Sequence, residues 1–185
     1  MSTPPAITRE EFEAALTPEA LRPLQILPGA LAAGVLTFAM AVGVLFAQGS
    51  GAAEIPEGAL QTLLTLSLAN VLLTTSAAAM AVLLPGLMVR PGLVPMDSQE
   101  RAALCLGRIR SAIIVRFAVL EGPALYGWVV CLVAQRNGVL STDPRFWLNA
   151  LSTLPFVAGV VLGFPTRERL KGIFETRILG GAGLS

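Results

Sequence analysis

Few residues in this chain are suited to chemistry. Glu121 is the carboxylate inside a long apolar run, 111–135, SAIIVRFAVLEGPALYGWVVCLVAQ. In another apolar run Ser67, Asn70 and Thr74 recur at spacings of three and four, which draws a polar stripe on a helix, bounded upstream by Leu63. A charge near the middle of a spanning helix costs roughly 2.5–3.5 kcal/mol on insertion scales, so an intramembrane Glu is expected to face protein or water and to have a partner. Glu121 should therefore point into a helix bundle, with Ser67, Asn70 or Arg116 as candidate partners. Pro123 lacks the N–H that would reach the carbonyl of Val119, which predicts a kink or a freed carbonyl beside the carboxylate. Gly122 and Gly127 would let a neighbouring backbone approach closely. The chemistry such a group offers is binding and release of an ion. The plainer reading of the stripe is that its hydroxyls bond carbonyls of their own helix and Asn70 bridges to a neighbour.

Other chemistry finds little support. The chain has no His and two Cys, Cys105 and Cys131, placed toward opposite faces of a membrane, so no intramolecular disulfide is expected. The missing His removes the usual zinc sites, haem ligation through His and any His-based triad, and Ser67 and Cys131 have no base beside them. No metal, cofactor or enzymatic activity is expected. A net charge of +1, with no patch of interleaved aromatic and basic residues, gives no reason to expect a nucleic-acid partner. Trp128, Trp147 and Tyr126 read as interfacial anchors or packing rather than as cofactor contacts.

The elements that must position these residues are apolar helices. At 185 residues, 54% hydrophobic and 14% charged, the chain is too apolar for a soluble domain of its size and must lie mostly in lipid. Four runs are long enough to cross about 30 Å of hydrocarbon, 26–47, 59–84, 111–135 and 146–164. Within them Gly34 follows Ala30, Gly43 follows Ala39, and Gly163 follows Gly159, all at four-residue spacing, the pattern of closely packed helices. Pro85-Gly86 and Pro165 are expected to close the second and fourth spans. Arg116 sits about a turn inside the third and can snorkel. If hydrocarbon begins near Ser111, Glu121 is about midway; if it begins after Arg116, Glu121 is only about 6 Å deep.

Short polar segments flank the spans. Thr8 to Glu11 is a T-x-x-E capping box that opens a short helix and not a signal peptide, and Thr17-Pro18 reads as a second helix start at the surface. Asp97 with Glu100 suggests a capped start running into the third span. The tail TRERLKGIFETRIL gathers Leu170, Ile173, Phe174 and Ile178 on one face among basic residues, which describes an amphipathic helix lying on an anionic leaflet; a partner groove would read the same way. Lys and Arg concentrate before the first span, between the second and third, and after the fourth, which predicts both termini on the cytoplasmic side of a bacterial inner membrane. The expected organisation is all-α and polytopic. It has a surface segment 1–25, a domain 26–165 of four antiparallel transmembrane helices in two hairpins, and a basic amphipathic tail 166–185.

The two hairpins align loosely as a parallel repeat, AGVLTF…AQ over EGPALY…AQ, with Ala33 in the place of Glu121. The segment LEGPALYGWVV resembles the carboxylate-bearing helix of the proteolipid c subunits of rotary ATPases, over about 15 residues. That resemblance implies ion or proton translocation with Glu121 as the ion-binding carboxylate and Tyr126 as a supporting position; Asn70 and Ser67 would supply further polar contacts. The chain departs from that family in its sparse glycines between 26 and 47, in carrying the carboxylate on the first helix of a hairpin, and in its long basic loop. The general pattern of four spans and short ends also resembles many small bacterial membrane proteins. Small-residue faces and two amphipathic ends favour an accessory or structural role, in which the chain packs in the bilayer against other membrane subunits or copies of itself.

Overall fold

The computed structural model describes residues 8–49, 54–88 and 98–176. Asp97 and Ile178, which carried some of the expectations above, lie outside them, as do Arg90 and Pro91-Gly92 of the basic loop and Arg177 of the tail. The described chain is helical throughout: α1 (Arg9–Ala15), α2 (Pro18–Ala47), α3 (Ala59–Met88), α4 (Ser98–Arg136), α5 (Val139–Thr142), a 3-10 helix η1 (Pro144–Ser152), α6 (Thr153–Gly163) and α7 (Arg167–Phe174). Four stretches are long and apolar enough to cross a membrane: α2, α3, Ala102–Arg136 of α4, and η1 with α6 together.

Local chemistry explains where these helices start and stop. The Thr8 hydroxyl accepts from the Glu11 N–H at 3.2 Å while the Glu11 carboxylate accepts from the Thr8 N–H at 2.9 Å, so both partners of the capping box are in place. Thr17 caps α2 with Pro18 at its first position, and Thr166 caps α7. Two expectations are corrected here. Thr17-Pro18 opens no helix separate from the first span, because α2 runs unbroken through Pro23 and Pro28. Pro85-Gly86 does not end α3, which continues to Met88.

The fourth span is not one α-helix. Pro155 has no N–H for the carbonyl of Leu151, which favours its place in the first turn of an α-helix, and α6 starts at Thr153. Upstream the chain winds as a 3-10 helix for 9 residues, well beyond the usual three or four. The tighter winding rises about 2.0 Å per residue, so η1 and α6 together reach about 34 Å, enough for the hydrocarbon. The fourth span thus differs from the second, its counterpart in the repeat suggested by sequence, since α3 is a single helix of 30 residues.

α4 is the central element. It packs against α1, α2, α3, η1 and α6, while α2 and α3 make little contact with each other. Its apolar stretch is 44% buried, against 11% and 12% for α2 and α3, whose leucines and valines are left to lipid. With 39 residues α4 is about 58 Å long, nearly twice the hydrocarbon thickness, so its first turns project beyond the bilayer. There they form a core with the terminal helices: Phe12 and Leu16 of α1, Leu24 of α2, Ile109 and Ile113 of α4, and Leu170 and Phe174 of α7. The rings of Phe12 and Phe174 stack at 4.2 Å with planes 6° apart.

This docking corrects the reading of the tail as a helix laid on a leaflet. Its apolar face is covered by α1 and α4, with Leu170 and Phe174 fully buried, so the groove that receives it belongs to the same chain. Ion pairs close the rim: Arg9 to Glu13 at 2.8 Å, Lys171 to Glu13 at 3.0 Å and Arg9 to Glu175 at 3.2 Å. The Arg9 hydrogen bond, and after it that of Lys171, holds the Glu13 carboxyl below its ordinary value. A depressed carboxyl adds stability above its unfolded pKa and loses it as pH falls through the folded one. The α1–α7 contact is thus expected to be intact at neutral pH and to loosen as pH drops below 4.5. Amide exchange of α7, corrected for its intrinsic pH dependence, should show protection falling on acidification. Equal loss of protection with Glu13→Gln at neutral pH would identify the carboxylate as the cause.

Candidate functional site

Two polar features lie within the spans, and they are separate. The first is a buried amide cluster. From α3 the Asn70 side-chain amide donates to the Asn149 carbonyl at 3.1 Å and to its Oδ1 at 3.2 Å. In return the Asn149 amide donates to the Ser67 hydroxyl at 2.9 Å and to the Phe146 carbonyl at 3.0 Å, and the Ser152 hydroxyl donates to the Asn149 carbonyl at 2.8 Å. Thr74 donates to the Asn70 carbonyl at 2.7 Å. Asn70, Asn149 and Ser152 are all buried. The Asn149 amide group and the Ser152 hydroxyl bond η1 carbonyls three residues back.

Gly127 makes this cluster possible. A Cβ at position 127 would overlap the Asn149 carbonyl oxygen and the Ser152 hydroxyl, so the backbone of η1 lies directly on that of α4. The Gly159 and Gly163 positions are similarly close, with a Cβ at Gly159 only 2.7 Å from Leu120 and one at Gly163 3.3 Å from Arg116. Arg116, Leu120 and Gly127 share one side of α4, and Gly159 and Gly163 of α6 pack against it. At Gly34, Gly43 and Gly122 a Cβ would meet nothing within 4 Å, so these three make no close packing contact among the described residues.

Glu121 is the second feature. It is half-buried on the flank of α4 and makes no hydrogen bond or ion pair among the described residues. Ser67 and Asn70, expected as its partners, are taken by Asn149, and Arg116 lies against α6 instead. Tyr126 packs beside Val130 and Ala134 in a different apolar cluster. Ser67, Asn70, Tyr126 and Glu121 therefore do not form one site.

What Glu121 borders is an open seam. Leu104, Gly107, Ser111, Ala118, Gly122 and Val129 are exposed and recur at steps of three, four and seven, so they follow one line along α4. Glu121 stands at its edge, three residues after Ala118 and four before Leu125. At one end the seam widens into a groove of about 690 Å³ lined by Met88 of α3 and by Glu100, Leu104, Gly107 and Ser111 of α4. Small residues in a heptad-like line admit another helix at close range.

The remaining reactive groups are held elsewhere. Cys105 and Cys131 lie toward opposite ends of α4 and are free thiols; Cys131 is fully buried and donates to the Phe146 carbonyl at 3.4 Å. Asp143 caps η1 and holds Arg145 through two side-chain bonds of 2.9 and 2.7 Å, which keep its carboxyl below the ordinary value. Sequence reading missed Asn149, Ser152 and the seam. The available signals were two polar residues three apart in a span without charge, a proline three residues later, and a line of small residues on α4. Comparison of the chain with protein-family models, with curated proteins and with solved structures finds no match.

Proposed function

We propose that this chain is a non-enzymatic accessory or structural subunit of a larger membrane complex, and that the open seam of α4 receives a transmembrane helix of another subunit. The observation that carries the reading is that the most buried of the spanning helices is left uncovered on a line rich in small residues, with a carboxylate at its edge that has no partner among the described residues. In lipid such a carboxylate is costly until a donor reaches it. A partner helix bearing Lys, Arg or an amide at that depth would satisfy it. Packing of α1 and α7 on the same end of α4 supports four alternating spans with both termini on one side. The excess of Lys and Arg at that end supports the cytoplasmic side of a bacterial inner membrane.

A photo-crosslinking residue at Ala118, in the seam, is compared with one at Leu68, on the lipid face of α3. Adducts to a different membrane polypeptide from Ala118 but not from Leu68 are the expected result. Glu121→Gln, which keeps hydrogen-bonding capacity, should leave the yield of complex within about twofold, while Glu121→Leu should lower it several-fold. Equal crosslinking from both positions would sink the proposal.

A second reading, proteolipid-like ion translocation, draws on the same carboxylate. It predicts a particle made of many copies of this chain, carbodiimide labelling of Glu121, and a Glu121→Gln variant that assembles fully but does not conduct.

A further inference from the structure

Arg116 presents a charge with no counter-charge among the described residues. It projects from α4 toward the end of α6, where the missing side chain of Gly163 leaves room for its guanidinium: a Cβ there would stand 3.3 Å from Nη1 and 3.5 Å from Cζ. Its Nε is buried and has no hydrogen-bond partner. No carboxylate pairs with it among the described residues, and the charge acting on it most closely is another cation, Arg169 of α7. The one acid of the first turn of α7, Glu168, is exposed and acts instead on Arg9.

The backbone adds to this positive potential. Thr166 caps α7 and accepts from the Arg169 N–H at 3.3 Å, which leaves the N–H groups of Arg167 and Glu168 open at a helix N-terminus. The C-terminal carbonyls of α6 offer Arg116 about half an elementary charge, against one full charge on each of two guanidiniums. The balance stays positive. This corner lies where α6 leaves the span at Pro165, the level of the lipid headgroups, and Gln25 of α2 donates to the Pro165 carbonyl at 3.2 Å, which steadies the turn.

We propose that Arg116, Arg169 and the first turn of α7 form a binding site for a phosphate group, that of an anionic phospholipid headgroup at the membrane surface or of soluble phosphate. Arg116 would give a fork of N–H donors suited to two phosphate oxygens, and Arg169 a second fork from the aqueous side. Basic pockets between membrane helices on the side bearing anionic lipid take headgroups in this way.

The test uses the full chain in mild detergent micelles doped with phosphatidylglycerol, with phosphatidylcholine, or with inorganic phosphate and no lipid. Bound lipid is counted by native mass analysis and the melting temperature is followed in parallel. Retained phosphatidylglycerol with a rise of several degrees, and little effect of phosphatidylcholine, is the expected result. Arg116→Gln and Arg169→Gln should each weaken retention about tenfold, while Arg136→Gln, at the other end of α4, should leave it unchanged. Arg169 is exposed, so its variant keeps the test valid if Arg116→Gln does not fold. Inorganic phosphate at millimolar concentration matching the full lipid effect would support the site and assign it to soluble phosphate. Equal retention of the two lipids, or retention unchanged in Arg169→Gln, would overturn the proposal.

Discussion

Gly127→Ala is expected to destabilise the protein by about 2–3 kcal/mol, although the same change in a free helix would favour the helical state by about 1 kcal/mol. The sign reverses because the added methyl has nowhere to go. It would overlap the Asn149 carbonyl oxygen and the Ser152 hydroxyl, and the first is backbone, which cannot rotate away. To admit it, η1 must lift from α4, which stretches the Asn70–Asn149 and Asn149–Ser67 bonds at the same time. Bonds of this kind contribute about 0.6 kcal/mol each in a bilayer, so the steric term is the larger one. Gly122→Ala supplies the control, five residues earlier on the same helix. There a Cβ meets nothing within 4 Å, and the expected effect is neutral to about 1 kcal/mol stabilising. Unfolding of the detergent-solubilised protein by titrated dodecyl sulfate, followed by tryptophan fluorescence, measures both variants. Similar stabilities for the two would show that the η1 contact is not close in solution.

Phe12→Ala is expected to have a larger effect still, about 3–5 kcal/mol, the usual range for removing a fully buried aromatic ring. Phe12 is 0% exposed, and losing it also removes the stacking partner of Phe174. The loss is local. It falls on the core that α1 and α7 form with the projecting turns of α4, whereas the amide cluster belongs to η1 and α3 and shares no residue with it. The two thiols report the difference. Cys105 packs against the terminal core and Cys131 is buried near η1, so maleimide labelling of Cys105 should accelerate more than tenfold in Phe12→Ala while that of Cys131 stays unchanged. Parallel acceleration of both would mean that the chain unfolds as one unit. The released α7 would then have the free apolar face that its sequence pattern describes, and added anionic vesicles should bind it.

How much of this was legible in the sequence depends on the range of the signal. The caps at Thr8 and Thr17 could be read because an N-cap involves residues three apart and nothing else. The basic amphipathic tail was equally legible as a pattern. What it packs against was not, since a leaflet and the groove made by α1 and α4 ask for the same apolar face. The stripe Ser67–Asn70–Thr74 announced a polar contact, but its partner, Asn149, lies 79 residues away from Asn70. Without that partner the nearest candidate was Glu121, which the structure leaves apart from the stripe.

The sequence by itself determined a helical chain with four stretches able to cross a membrane, because length and hydropathy decide that and both are sums over local residues. Tertiary structure alone decided which glycines carry contacts, that η1 winds as a 3-10 helix on Gly127, that the terminal helices bind each other, and that Glu121 borders an open seam. The physical reason is that lipid tails and a protein interior are about equally apolar. Hydropathy therefore marks a residue as inside the membrane without saying whether it faces protein, and only close packing and hydrogen-bond geometry distinguish the two.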